Sequence, residues 1–296
     1  MIIKNCPIAN PQDGAKPCGL FIMDFDGTLL RSDRTVAAQD RDALRQLGDL
    51  GIIRAIATGR SLFSFNTVTL SNLQMDFVIF STGAGLMQYK GDKIIRKLHL
   101  EPRQVDRASA VLKTYQLDFM IHHTIPDNHR FAYYRINPEN ADFDRRLELY
   151  RRHADRLTET ATGFGPATQL LAIVPARNGT AVLDAIRSEL VDFSVIQTTS
   201  PLDGQSTWIE IFPATVSKSQ TAAWLAEALQ IDKRQTVSIG NDYNDLDLLE
   251  WTASSYVVDN APADLKNRFT TVASHDNGGV AQAVKKWLAG KKKVGS

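Results

Sequence analysis

Four short polar clusters, each following or opening an apolar run, carry the chemistry open to this chain. The first is Asp24-Phe25-Asp26-Gly27-Thr28, directly after Leu20–Met23. Two carboxylates at i and i+2 leaving a strand can both face one crevice if the strand stops there and the chain turns, which Gly27 permits. A carboxylate can attack phosphorus while a second moves protons. The second cluster is Ala57-Thr58-Gly59-Arg60. Its hydroxyl can donate to a phosphoryl oxygen, and exposed amides at a following helix N-terminus favour an anion. The third is Val216-Ser217-Lys218-Ser219. A lysine at a helix start is disfavoured by the helix dipole, so nearby anions are expected to hold it. The fourth is Ile239-Gly240-Asn241-Asp242-Tyr243-Asn244-Asp245. Its clustered side-chain oxygens are hard donors of the kind that suit magnesium together with waters and a phosphate. Taken singly, each has an ordinary reading: an Asp-Gly turn, a helix cap, a surface lysine, an N-cap at Asp245. Their joint order carries the argument.

The elements that must position them alternate between strand and helix. Leu20–Met23, Ile52–Ala57 and Phe77–Phe80 read as buried strands. A helix over Asp40–Leu50 and another over Ser61–Asn72 separate them. Strands covered on both faces imply a parallel sheet. The pattern resumes with a helix over Ser217–Leu229, a strand over Thr236–Ile239 and a helix over Asp245–Trp251. A strand at Tyr256–Val258, a helix over Ala263–Phe269, a strand at Thr271–Ala273 and a helix over Gly279–Leu288 close the chain. In an open parallel sheet, ligands bind beyond the carboxyl ends of the strands, where these clusters fall.

The middle of the chain differs in character. Met87–Ile95 reads as a hairpin turning at Gly91, Asp118–His123 and Phe131–Ile136 as paired strands, and Asn140–Leu157 as one long charged helix. His122 and His123 should point to opposite faces of their strand, which argues against a shared metal site. The expected organisation is an N-terminal arm over 1–18, a catalytic core over 19–83 and 214–290, an inserted α+β domain over 84–213, and a solvated tail over 291–296.

The chain has 296 residues, 43% hydrophobic and 23% charged, with a formal net charge of +1, which excludes the basic stripe of a nucleic-acid binder. No apolar run approaches the roughly 20 residues a membrane helix needs, and the N-terminus shows no signal-peptide pattern. The two cysteines, Cys6 and Cys18, read as free thiols in a reducing cytoplasm, so a cytoplasmic location is expected.

In order and content, the four clusters resemble those of the haloacid dehalogenase superfamily of phosphohydrolases. The position of the insertion resembles its Cof-type subclass with a large α+β cap. The resemblance spans Leu20 to Leu288 and implies a doubly wound, Rossmann-like α/β core. It implies a magnesium-dependent phosphatase acting on a small organic phosphate, a sugar phosphate by subclass, through an aspartyl-phosphate intermediate. By the same resemblance Asp24 is the nucleophile and Asp26 the general acid and base. Thr58, Gly59 and Lys218 hold the phosphoryl group. Magnesium binds Asp24, the backbone carbonyl of Asp26 and the loop residues Asn241, Asn244 and Asp245, and Asp242 is the alternative to Asn241. Two departures stand out. Asn241 occupies the place of an aspartate, and Thr82-Gly83-Ala84 replaces Asn-Gly-Ala. Arg60, Thr82 and Gly83 are the candidates for substrate contact. A phosphomutase or phosphotransferase of the same superfamily would share every one of these residues, and a non-catalytic phosphate-responsive protein would share most of them.

Overall fold

A computed structural model describes residues 17–68, 70, 73–157, 163–175 and 179–294. Up to the insertion it contains β1 (Gly19–Asp24), α1 (Ala38–Asp49), β2 (Ile52–Ala57), α2 (Leu62–Phe65), β3 (Phe77–Phe80), β4 (Gly85–Gln88) and β5 (Lys93–Lys97). Next come α3 (Pro102–Thr114), β6 (Phe119–His122), β7 (Phe131–Tyr134), α4 (Ala141–Leu149) and β8 (Ala154–Arg156). These lead to β9 (Gln169–Val174), α5 (Gly179–Glu189), β10 (Phe193–Thr199) and β11 (Thr207–Pro213). The chain ends with α6 (Lys218–Ala228), β12 (Thr236–Gly240), α7 (Leu246–Trp251), β13 (Ser254–Val258), α8 (Ala263–Arg268), β14 (Thr270–Val272) and α9 (Gly279–Val294). Contacts divide it into two units, one of residues 1–60, 65–96 and 218–296, the other of 61–64 and 97–217.

The first unit is built on an eight-stranded sheet in the order β14-β13-β12-β1-β2-β3-β4-β5. Pairing is parallel from β14 to β3 and turns antiparallel between β3 and β4. The chain leaves β1 for β2 on one side, and β12 later joins its other side, so the strand order reverses at β1. Alternation of side chains along β1 sends Leu20 and Ile22 against Leu225 and Leu248 of α6 and α7, while Phe21 packs on Trp287 of α9. This is a doubly wound α/β core with helices on both faces.

The second unit carries a six-stranded sheet, β10-β11-β9-β6-β7-β8, antiparallel except between β7 and β8. Helices α3 and α5 bury Val105, Ala108, Leu112, Leu183 and Ile186 against one face. On the other, Phe143 of α4 packs with Met120, Phe131, Leu171 and Trp208.

Several expected boundaries shift. The hairpin around Gly91 extends the first sheet as β4 and β5, so the units divide near Lys97 and Ser217 rather than at Ala84 and Pro213. Of the helix expected over 61–72, the described residues form one only over Leu62–Phe65, followed by a turn from the Val68 N–H to the Phe65 carbonyl, while 69, 71 and 72 lie outside the described residues. The long helix expected over Asn140–Leu157 stops at Leu149, and Ala154–Arg156 becomes a strand paired with Phe131–Tyr133. Sheet pairing there overrides helical spacing. His122 lies buried on β6, with its Nδ1 2.8 Å from the Asn128 carbonyl, while His123 is half-buried beyond the strand end. The lysines at 291–293 continue α9. Cys18 is exposed, and Cys6 and most of the expected N-terminal arm lie outside the described residues. Among the described residues no helix is long and apolar enough to cross a membrane.

Candidate active site

Register alone brings three of the four clusters to one edge of the first sheet. Asp24 pairs with Ala57, so the chain beyond β2 delivers Thr58 beside it. Met23 pairs with Ile239, so Gly240 and Asn241 leave β12 on its other flank. The fourth group comes from α6, whose first residue is Lys218.

Lys218 is fully buried and donates 2.7 Å to Asp24 Oδ1 and 2.5 Å to Asp245 Oδ1. Burial works against its charge, but the two carboxylates more than offset that and hold its pKa above the ordinary lysine value. Asp24, only 5% exposed, is pushed up to about 7, first by burial and then by the negative charge of Asp245, with Lys218 pulling the other way.

Asp245 does more than hold the lysine. Its Oδ2 accepts from the backbone N–H groups of Asn241 at 2.9 Å and Asp242 at 3.2 Å, which folds the loop over β12. A β-carbon on Gly240 would fall 2.5 Å from that oxygen, so glycine is required for the close approach. The Asp242 side chain accepts from the Asp245 N–H and caps the short turn over Tyr243–Asp245. The Asn244 amide lies toward Gly59, its Nδ2 3.9 Å from where a β-carbon on that glycine would stand.

Asn241 points the other way, toward β1. One end of its side-chain amide stands 3.0 Å from Asp24 Oδ2, 3.2 Å from the Asp26 carbonyl oxygen and 3.2 Å from Thr28 Oγ1. That end can be the oxygen, accepting from Thr28, or the nitrogen, donating to all three.

Asp26 is exposed at the mouth of the site, and Arg60 grips both its oxygens, with Nε to Oδ2 at 2.7 Å and Nη2 to Oδ1 at 2.6 Å. The Arg60 guanidinium also lies 5.5 Å from the Phe25 ring centroid. Thr58 is buried, and its Oγ1 accepts from the Arg60 N–H. Gly59 is exposed. Ser81, Thr82 and Gly83 all have positive φ, at 49°, 55° and 108°. For a β-branched residue such as Thr82 that is a strained conformation. It is held by two backbone bonds, Thr82 N–H to the Thr58 carbonyl at 3.0 Å and Ser81 N–H to the Arg60 carbonyl at 2.8 Å. Thr221 Oγ1 of α6 adds a third, to the Gly83 carbonyl at 2.7 Å. Thr82 is fully buried. Among the described residues no group of three His, Cys, Asp or Glu side chains forms a metal cage.

The model of the haloacid dehalogenase-like hydrolases matches residues 21–284. The chain belongs to that family. It is a phosphohydrolase of the Cof-type subclass and hence an enzyme. It is 25% identical over 293 residues to the Bacillus subtilis 5-amino-6-(5-phospho-D-ribitylamino)uracil phosphatase YwtE, covering 90% of this chain and 97% of that one. The phosphatase YwpJ of Bacillus subtilis is 24% identical over 295 residues, covering 91% and 99%. Among solved structures, BT1666 of Bacteroides thetaiotaomicron superposes with a TM-score of 0.76 at 18% identity, covering 93% of this chain and 97% of that one. The sugar phosphatase BT4131 does so with a TM-score of 0.72 at 16% identity, covering 91% and 99%.

Within this haloacid dehalogenase-like site, the expected residues Asp24, Asp26, Thr58, Gly59, Arg60, Thr82, Gly83, Lys218, Asn241, Asn244 and Asp245 all fall in one unit. Sequence reasoning missed three features. The Arg60–Asp26 fork joins two clusters whose pairing has no local signature. Thr28 belonged to the first cluster, yet nothing singled out its hydroxyl. Thr221 lies three residues after Lys218, a spacing that places both on one side of a helix and that offered a signal.

Proposed function

We propose that this enzyme hydrolyses the phosphomonoester of a small organic phosphate in two steps through a phosphorylated Asp24, with a divalent cation, magnesium, as cofactor. The observation that carries the reading is the fully buried Lys218 bridging Asp24 and Asp245 at the end of β1. A buried ammonium beside a nucleophilic carboxylate lowers the repulsion an anionic phosphate meets there.

In the first step a carboxylate oxygen of Asp24 bonds to phosphorus as the ester oxygen leaves. Asp26 supplies the proton that the departing oxygen takes. In the second, Asp26 takes a proton from water as that water attacks phosphorus, which releases inorganic phosphate and restores the Asp24 carboxylate. Asp26 must leave the Arg60 fork to reach either oxygen, so Arg60 governs its availability. Thr58 and Lys218 are assigned to the phosphoryl oxygens, and Gly59 to a backbone approach. Arg60, Thr82 and Gly83 remain the substrate-side candidates, and the Thr82 hydroxyl lies 3.6 Å from where a β-carbon on Gly59 would stand.

The residues present fit a magnesium ion. The Asn241 amide end stands 3.0 Å from Asp24 Oδ2 and 3.2 Å from the Asp26 carbonyl. Metal–oxygen distances of 2.0–2.1 Å in an octahedron imply edges of about 2.9 Å. Magnesium commonly uses one or two carboxylates and keeps its waters, so no cage of three acidic side chains is required. When bound, the ion would neutralise charge shared by Asp24 and the phosphate. We assign Asp24, the Asp26 carbonyl and Asn241 to hold it. Asp245 orients Lys218 and the loop, Asp242 caps the turn, and Asn244 supports the Gly59 side. The relatives named for a phosphoribityl compound and for sugar phosphates support a sugar- or polyol-borne phosphate. A phosphate-release screen over sugar phosphates, nucleotides and cofactor phosphates, with magnesium or EDTA, tests the reading. Activity insensitive to EDTA, or phosphate release that survives Asp24→Asn, would refute it.

A further inference from the structure

Asn241 is the uncharged side chain in the cation-facing trio, and its geometry gives that neutrality a use. We propose that the Asn241 amide is a two-state group that substitutes for the cation when the site is empty and turns its oxygen inward when the cation binds. The proposal rests on the cation reading above. The inward end of the amide faces Asp24 Oδ2 at 3.0 Å, the Asp26 carbonyl at 3.2 Å and Thr28 Oγ1 at 3.2 Å. Two of those neighbours only accept hydrogen bonds. An oxygen placed there without a cation meets lone pairs and a carboxylate. A nitrogen placed there donates N–H bonds and ties β1 to the loop after β12.

The surroundings suit both states. Thr28 is fully buried, and its hydroxyl can donate to an inward oxygen or accept from an inward nitrogen. The outward end of the amide lies beside Gly27, where a β-carbon would be 2.7 Å from it. Gly27 has φ +71°, so glycine both makes the turn and leaves room for either amide end. An aspartate at 241 has no such freedom. It offers only acceptors, and two carboxylates about this close repel each other until a cation or proton intervenes. Asparagine therefore keeps the empty site assembled, at the cost of a weaker hold on the cation.

Calorimetric melting and magnesium titration of wild type, Asn241→Asp and Asp24→Asn at pH 8 test this. In EDTA, Asn241→Asp should melt about 2–5 °C below wild type. In titrations it should bind magnesium on the order of tenfold more tightly, so the gap narrows or reverses in saturating magnesium. The wild-type side-chain amide gives a direct readout, and it stands even if Asn241→Asp does not fold. Its nitrogen–proton NMR signals, assigned by their loss in Asn241→Ser, should be protected from exchange in EDTA, and should shift and lose protection in magnesium. Magnesium binding with an unmoved amide, or with Asn241→Asp at least as stable as wild type in EDTA, overturns the two-state role alone. Absence of any magnesium binding that depends on Asp24 overturns both this proposal and the cation reading.

Discussion

Each unit buries a carboxylate at a strand end, and the two are treated in opposite ways. Asp118, just before β6 in the second unit, is 2% exposed. Its Oδ1 accepts from the N–H groups of Ile136 at 2.8 Å and Asn137 at 2.9 Å. Its Oδ2 accepts from Asn140 Nδ2 at 2.9 Å and Arg135 Nη1 at 3.2 Å. Asn140 in turn caps α4 through the Phe143 N–H. Asp118 is saturated, and it fixes a strand, a turn and a helix start together. Asp24 is nearly as buried, yet among the described residues one oxygen accepts from Lys218 alone and the other meets the Asn241 amide alone. Burial is nearly shared. Acceptor saturation separates an anchor from a group with lone pairs left for a substrate.

The largest effect should come from exchanging each carboxylate for an amide. Asp24→Asn removes the nucleophile, and turnover should fall on the order of 10³-fold or more, with the melting temperature little changed. Asp26→Asn should cost roughly 10²–10⁴-fold through lost proton transfer. Asp118→Asn should leave kcat per folded molecule within about twofold while losing roughly 1–3 kcal/mol of stability, because an NH2 group now faces buried donors. Kinetics on variants checked by denaturant titration would measure this. A large kcat loss in folded Asp118→Asn would erase the distinction.

Lys218→Met should show both penalties at once. It strands two buried carboxylates, which costs about 3–5 kcal/mol for a broken buried pair. Activity should collapse as well, since the positive charge facing the phosphate is gone. Because Lys218→Met also weakens the fold, the discriminating comparison is with Asp245→Asn, which keeps the lysine. That variant should retain more stability and more turnover than Lys218→Met, and the reverse order would contradict the bridge.

How much of this was legible in the sequence depends on the range of the interaction. β1, β2, β3 and β12 are short apolar runs ending in polar residues, so both the strands and the residues they deliver could be read locally. The residue types at 24 and 218 were legible, but a bond spanning 194 positions leaves no local trace. The same limit explains the misread segments. Residues 150–156 carry helix-like charge spacing, yet pairing with β7 makes 154–156 a strand. The turn at Gly91 is a local signal, whereas membership of β4 and β5 in the first sheet is a tertiary outcome. Thr28 and Arg60 were visible as letters, and their partners were not.

A smaller effect should follow from the clamp on the strained turn. Thr221 Oγ1 holds the Gly83 carbonyl, and Ser81 and Thr82 bond the backbone of Arg60 and Thr58. Thr221→Val keeps the shape and removes the donor, so it should cost about 1 kcal/mol. If the clamp positions the phosphate-side backbone, kcat should drop about three- to tenfold with a smaller change in KM, and Thr221→Ser should restore it. A stability loss with unchanged kcat would make Thr221 only a packing residue.

A third buried carboxylate supplies an effect on stability alone, with none expected on turnover. Asp40 on α1 is fully buried, and its Oδ1 accepts from the Ala281 N–H in the first turn of α9 at 2.8 Å. Its Oδ2 has no hydrogen-bond partner among the described residues. Unlike Asp24 it has no buried ammonium, and unlike Asp118 it is not saturated. Burial pushes it up to about 6, with the Ala281 N–H and Arg31 opposing. The folded state therefore binds the proton more tightly than the unfolded chain does. Stability from this group is fully present below the unfolded value near 3.8 and is lost as pH rises through about 6. The full difference corresponds to roughly 3 kcal/mol at most. Asp40→Asn keeps an oxygen for Ala281 and carries no charge. Relative to wild type it should gain stability between pH 4.5 and pH 7.5, by about 1–2 kcal/mol because pH 4.5 already lies above the unfolded value and part of the full difference is gone there. Urea titrations of the two proteins at both pH values isolate this term, because every other carboxylate is common to both. Parallel pH profiles would show that Asp40 is ionised without penalty, and that burial alone does not raise an unsaturated carboxylate in this core.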